Sequence, residues 1–105
     1  MSRIYIAGPM TGIPAHNYPA FHAEAARLRA LGHEVVSPAE INEGLEHEGW
    51  SACMRRDLAA LATCDAMRLL PDWKNSRGAQ LEVEIARALE MQLFMPVARV
   101  PPCTA

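Results

Sequence analysis

Two carboxylates stand where amphipathic helices place apolar side chains. Within residues 76–89 apolar side chains recur at Leu81, Ile85 and Leu89, with Ala86 and Ala88 beside them. That period is the mark of an amphipathic helix. Gln80, Glu84 and Arg87 share its polar side, whereas Glu82 falls beside Leu81, Ile85 and Ala86. The same pattern recurs upstream: Met54, Asp57, Leu58 and Leu61 share one face while Arg55, Arg56 and Ala59 look elsewhere. A carboxylate against a core is costly unless paired, and such groups often have shifted pKa values and a chemical task. Together Glu82 and Asp57 could supply nucleophilic and acid–base chemistry. Plainer readings stay open: Glu82 snorkels to water, or Asp57 only accepts bonds from backbone, Arg55 or Arg56.

The elements that must hold them follow in order. Residues 3–7 (Arg-Ile-Tyr-Ile-Ala) form a β-prone run that stops at Gly8-Pro9. A helix is expected over 19–31, ending at Gly32, and a strand over 33–37, stopped by Pro38. Strand, helix, strand in so short a stretch calls for a right-handed parallel βαβ unit, hence an α/β fold. Residues 38–50 read as a surface excursion with one helical turn around 41–45, after which Ser51 caps a second long helix. Strands at 65–70 and 93–97 flank the helix of Glu82, and 99–105 form a loose tail. The whole, 1–105, reads as a single layered domain with a parallel sheet of about four strands in the order 2-1-3-4.

In such a sheet the ligand crevice lies at the carboxyl ends of strands one and three, where the chain order reverses. The loops there carry Gly8, Pro9, Met10, Thr11, His16, Asn17 and Tyr18 on one side, and Asp72, Trp73, Asn75 and Ser76 on the other. The two long helices begin at the same edge, which brings Asp57 and Glu82 to one crevice. Each residue also has a bland role: Gly8 and Gly12 as turn glycines, Tyr5 and Tyr18 as packing residues, Trp73 as a core cap, and the histidines as surface groups.

Composition narrows the partner. Half the residues are hydrophobic, 21% are charged and the formal net charge is −2, which suits one globular domain binding a small molecule and argues against a nucleic-acid polymer. Neither G-x-G-x-x-G nor G-K-[ST] occurs, so no NAD or ATP site is signalled. Three cysteines without C-x-x-C spacing and four histidines without H-E-x-x-H predict no disulfide, metal or cofactor. With no apolar run long enough for a membrane span, a cytoplasmic protein is expected. The crowding of Met91, Leu93, Phe94 and Met95 near the last strand predicts a homo-oligomer, since such an edge needs cover.

Ile4-Tyr-Ile-Ala-Gly-Pro9, Arg56-Asp-Leu58 with Cys64-Asp65, and Ser76-x-Gly78-x-x-x-Glu82-x-x-x-Ala86 occur in that order. In this the chain resembles the nucleoside 2-deoxyribosyltransferases. Gly8-Pro-Met-Thr-Gly12 with Asn17-Tyr-Pro-Ala-Phe21 looks like a short bacterial and phage branch of that superfamily. The resemblance covers 3–97 and implies a flavodoxin-like, Rossmann-like three-layer fold, usually with a fifth strand, and oligomeric assembly. It implies that Glu82 is the nucleophile, Asp57 the active-site aspartate and Ser76 a phosphate-binding serine like that of the deoxynucleoside 5'-monophosphate N-hydrolases. Residues 38–50 have no counterpart, so base-gripping residues do not transfer. Cleaving an N-glycosidic bond needs an anion beneath C1', for Glu82, and a second acid of higher pKa to protonate the leaving base, for Asp57. Trp73 and Phe21 would wall the flat base, and Tyr5 would hold Glu82 in its attacking rotamer. The alternative is a nucleotide-binding sensor or interaction module that turns nothing over.

Overall fold

Alternation along one strand sorts the molecule into layers. In the computed structural model, which describes residues 1–96, strand β1 (Arg3–Ala7) sends Ile4 and Ile6 into one core cluster and Tyr5 and Ala7 into another. It pairs in parallel with β2 (Glu34–Val36) on one side and β3 (Ala66–Leu69) on the other; β4 (Gln92–Phe94) adds to β3, giving the expected order β2-β1-β3-β4. Helix α1 (Tyr18–Ala30) covers the Ile4 and Ile6 face with Phe21, Ala25 and Leu28. After the short α2 (Pro38–Ile41), helices α3 (Trp50–Leu61) and α4 (Arg77–Ala88) cover the other face, where Leu61, Val83 and Ala86 meet Tyr5, Met67 and Leu69. The result is the three-layer α/β arrangement read from the sequence. Burying each large apolar side chain here contributes roughly 1.5–3 kcal/mol.

Three local expectations are corrected. The helical turn expected around 41–45 comes earlier, as α2, and is followed by a turn closed by the Leu45 amide on the Asn42 carbonyl at 2.8 Å and a 3₁₀ turn at Glu46–Glu48. Pro38, with its fixed φ, starts the helix at once, and Gly44 at φ 80° breaks the chain before a second helical turn can form. The surface excursion is shorter than expected: Pro38, Ala39 and Asn42 are buried, and only residues 43–50 are exposed or half-buried throughout. Nor does Ser51 cap α3: Gly49, at φ 96°, precedes Trp50, and its carbonyl accepts the Cys53 amide at 3.2 Å.

The last strand covers much of its own apolar surface. Met91 and Leu93 pack against the α3–α4 cluster and Phe94 against the α1 cluster, leaving Met95 exposed. The apolar reason for expecting an oligomer shrinks accordingly, although β4 remains a sheet edge. Val97, the tail at 99–105 and Cys103 lie outside the described residues. Among the described residues no helix is long and apolar enough to cross a membrane.

Candidate active site

A cavity of about 630 Å³ opens at the carboxyl edge of the sheet, within the usual range for small-ligand pockets. The turn after β1 forms one wall through Gly8, Pro9, Met10 and Thr11. Gly8 is required there: a Cβ on it would lie 2.7 Å from Leu70 Cβ, so only glycine lets the end of β1 pass the end of β3 this closely. Asn17 does not line the cavity but holds this loop, donating from Nδ2 to the Pro9 carbonyl at 2.9 Å. Tyr18 closes the rim, its hydroxyl donating to Glu46 Oε1 at 2.9 Å.

The opposite wall comes from two helices packed side by side. Gly78, in the first turn of α4, meets α3 so closely that a Cβ would approach Met54 Cε to 2.8 Å. Ser76 caps α4, its Oγ accepting the Ala79 amide at 3.1 Å. The hydroxyl proton stays available to a ligand, since the cap uses the oxygen as acceptor. Close packing of α3 and α4 carries Asp57 and Glu82 onto the same cavity. Both leave the polar surface almost entirely, Asp57 at 7% exposed and Glu82 at 4%.

Burial sets the charges. Glu82 is pushed up to about 8, chiefly by desolvation and also by the charge of Asp57, while the Tyr5 hydroxyl, which donates to its Oε2, works the other way. Asp57 is raised to about 6 by desolvation, moderated by a hydrogen bond from Asn42 Nδ2 at 2.8 Å and by the nearby Arg56 charge. Tyr5, wholly buried, is driven well above its ordinary value by desolvation and by both carboxylates, so it stays a neutral donor. The expected order of the two acids is therefore reversed: Glu82 is the weaker acid because it is sealed more deeply and has one donor. Between about pH 6 and 8 the coupled pair holds one proton.

Of the residues singled out from the sequence, the structure gathers Gly8, Pro9, Met10, Thr11, His16, Tyr18, Asp57, Asn75, Ser76, Gly78 and Glu82 at the cavity, with Tyr5 directly behind Glu82. Phe21 and Trp73 stand apart from it, contrary to their expected place as walls for a flat base. Phe21 is 0% exposed in the α1 cluster, because it projects from α1 onto β1. Trp73 packs against the α3–α4 cluster and faces a separate groove beside Gln80 and Glu84. The aromatic wall is Trp50 instead, with the Arg77 guanidinium 4.0 Å from its ring centroid. Asn42, Glu46 and Arg77 also line the cavity unannounced. Pro38 before a helical start hinted at order in this segment, but no spacing rule ties Asn42 to Asp57. Among the described residues no cluster of three or more His, Cys, Asp or Glu could hold a metal ion.

Comparison with known proteins adds three findings. Residues 2–95 match the family described as Domain of unknown function (DUF4406). A solved structure of the 2-deoxyribosyltransferase from the psychrotolerant bacterium Bacillus psychrosaccharolyticus, a biocatalyst for nucleoside synthesis, superposes with a TM-score of 0.70 at 23% identity, covering 94% of this chain and 76% of that one. The two share a fold. No curated protein matches the chain significantly.

Proposed function

We propose that this chain, a member of the DUF4406 family that shares its fold with a 2-deoxyribosyltransferase, cleaves or transfers the N-glycosidic bond of a nucleoside or nucleoside 5'-monophosphate. The observation that carries the reading is Glu82: a buried carboxyl on the cavity wall, held from behind by a neutral phenol and coupled to a second carboxyl. A surface glutamate serving solubility needs none of this.

In the proposed reaction the C1'–N bond breaks as Glu82 closes on C1', and the bonding electrons leave with the base nitrogen, which takes a proton from Asp57. Water or an incoming base then displaces Glu82 from C1', so that two inversions give net retention. The coupled pair holds the one proton that the reaction needs at neutral pH, and the positive charge forming at the sugar favours the arrangement with Glu82 anionic and Asp57 protonated. Trp50, Met54 and Met10 offer the base a flat, largely apolar wall. Ser76 and the start of α4 lie where a 5'-phosphate would be held.

Incubation with a panel of nucleosides and 5'-monophosphates, with free base followed by chromatography and an added acceptor base in parallel, tests the reaction and separates hydrolysis from transfer. Glu82→Gln should retain ligand-dependent thermal shifts and lose nearly all base release, whereas Glu84→Gln, which alters an exposed residue, should change little. Undiminished release by Glu82→Gln overturns the mechanism. Thermal shifts without base release from any substrate would favour the binding module.

A further inference from the structure

The orientation of Asp57 is fixed by a chain of groups whose donor and acceptor roles leave no choice. Arg56 Nε donates to Asn42 Oδ1 at 3.1 Å, and its Nη1 donates to Glu48 Oε1 at 2.7 Å. A guanidinium cannot accept, so the oxygen end of the Asn42 amide must face it. The NH₂ end must then face Asp57, where Nδ2 lies 2.8 Å from Oδ1. Because that group only donates, Asp57 Oδ1 is always an acceptor and can never carry the carboxyl proton. Oδ2 has no hydrogen-bond partner among the described residues, and it is not sealed off. Ser37 Oγ is the one buried side-chain nitrogen or oxygen left unpartnered among those residues, so Oδ2 opens on the cavity that Asp57 lines.

We propose that Asn42, clamped by Arg56, is a positioning residue that confines the Asp57 proton to Oδ2, the oxygen facing the ligand. The proposal rests on the glycosidic reading for its use: it makes Asp57 a one-sided acid, delivering the proton from Oδ2 to the base nitrogen as that nitrogen receives the electrons of the C1'–N bond. Asn42 is 3% exposed, so water cannot substitute for its amide. It also reaches Asp57 from the 38–50 segment, which thereby acquires a task beyond closing the cavity. The other groups around Asp57 are Glu82 on α4, Tyr5 on β1 and Tyr18 on α1, all of which interact with it electrostatically, together with Arg56 on its own helix. None of these replaces a donor aimed at Oδ1.

The test measures Asp57 directly. In a Glu82→Gln background, where one member of the pair titrates, the carboxyl carbon of ¹³C-labelled Asp57 is followed by NMR against pH and assigned by its loss in Asp57→Asn. Adding Asn42→Leu should raise the midpoint by about one unit or more, because the donor that favours the anion is gone. With Glu82 restored, Asn42→Leu should lower kcat about tenfold and leave KM for the best nucleoside nearly unchanged. Should Asn42→Leu fail to fold, Arg56→Lys decides: it keeps the charge, frees the amide to turn, and should also move the midpoint upward. A midpoint unmoved in the folded variant overturns the proposal, even if turnover falls. If the wild-type chain releases no base from any nucleoside while the midpoint still moves, the clamp stands and the glycosidic reading fails.

Discussion

The phenol of Tyr5 donates to Oε2 of Glu82 across 77 positions of sequence, with both side chains buried. Tyr5 projects from the α3–α4 face of β1 and Glu82 from α4, so the sheet itself orients the carboxyl. Tyr5→Phe removes the single donor that favours the anion, and Glu82 should then titrate above its present value of about 8. The expected result is a 10- to 100-fold loss of base release, with the pH profile displaced upward. An unchanged profile would mean that the bond only fills space.

The pair should also give a bell-shaped pH dependence of kcat/KM, with limbs near 6 and 8 where the one-proton state begins and ends. Asp57→Asn should remove the bell. Initial rates between pH 5 and 9 decide this, and a flat profile would contradict the shared proton.

Stability carries the same signature with a definite sign. Glu82 binds its proton far more tightly folded than unfolded, its pKa moving from 4.5 to about 8. The native state therefore holds more protons over that window, and stability must fall as pH rises through it. The loss from this group is on the order of 3–5 kcal/mol. Chemical denaturation at pH 5 and pH 8.5 should show the decline in the wild type and a much flatter dependence in Glu82→Gln.

Gly8→Ala should be destabilising by about 1–3 kcal/mol, because the new methyl meets the Leu70 Cβ, which is anchored to the backbone and cannot swing aside. Gly12→Ala meets no atom within 4 Å but is strained at φ 81°. Thermal melts of the two variants distinguish a packing cost from a purely conformational one, the first also distorting the cavity and weakening ligand binding.

Ser76→Ala should lose about 1 kcal/mol of stability with the cap. Affinity for a 5'-monophosphate should fall much further than affinity for the matching nucleoside, as calorimetry would show. Equal losses would confine Ser76 to capping.

The sequence by itself determined the layers and the edge of the sheet at which the cavity opens. The β-prone run at Arg3–Ala7 and the period-3.6 stripes in α3 and α4 are local consequences of backbone geometry, so they survive in a one-dimensional reading. With the right-handed rule for strand–helix–strand units they led to the expected strand order, the cavity edge and the two odd carboxylates. Tertiary structure decided what lies across from them. Asn42 reaches Asp57 over 15 positions and Tyr5 reaches Glu82 over 77, and no periodicity links such pairs. Phe21 is apolar by identity, which does not tell whether it walls a ligand or fills the core. The order of the two acids was misjudged for the same reason: burial depth and the count of donors around a carboxyl belong to the packed molecule, and these set its pKa.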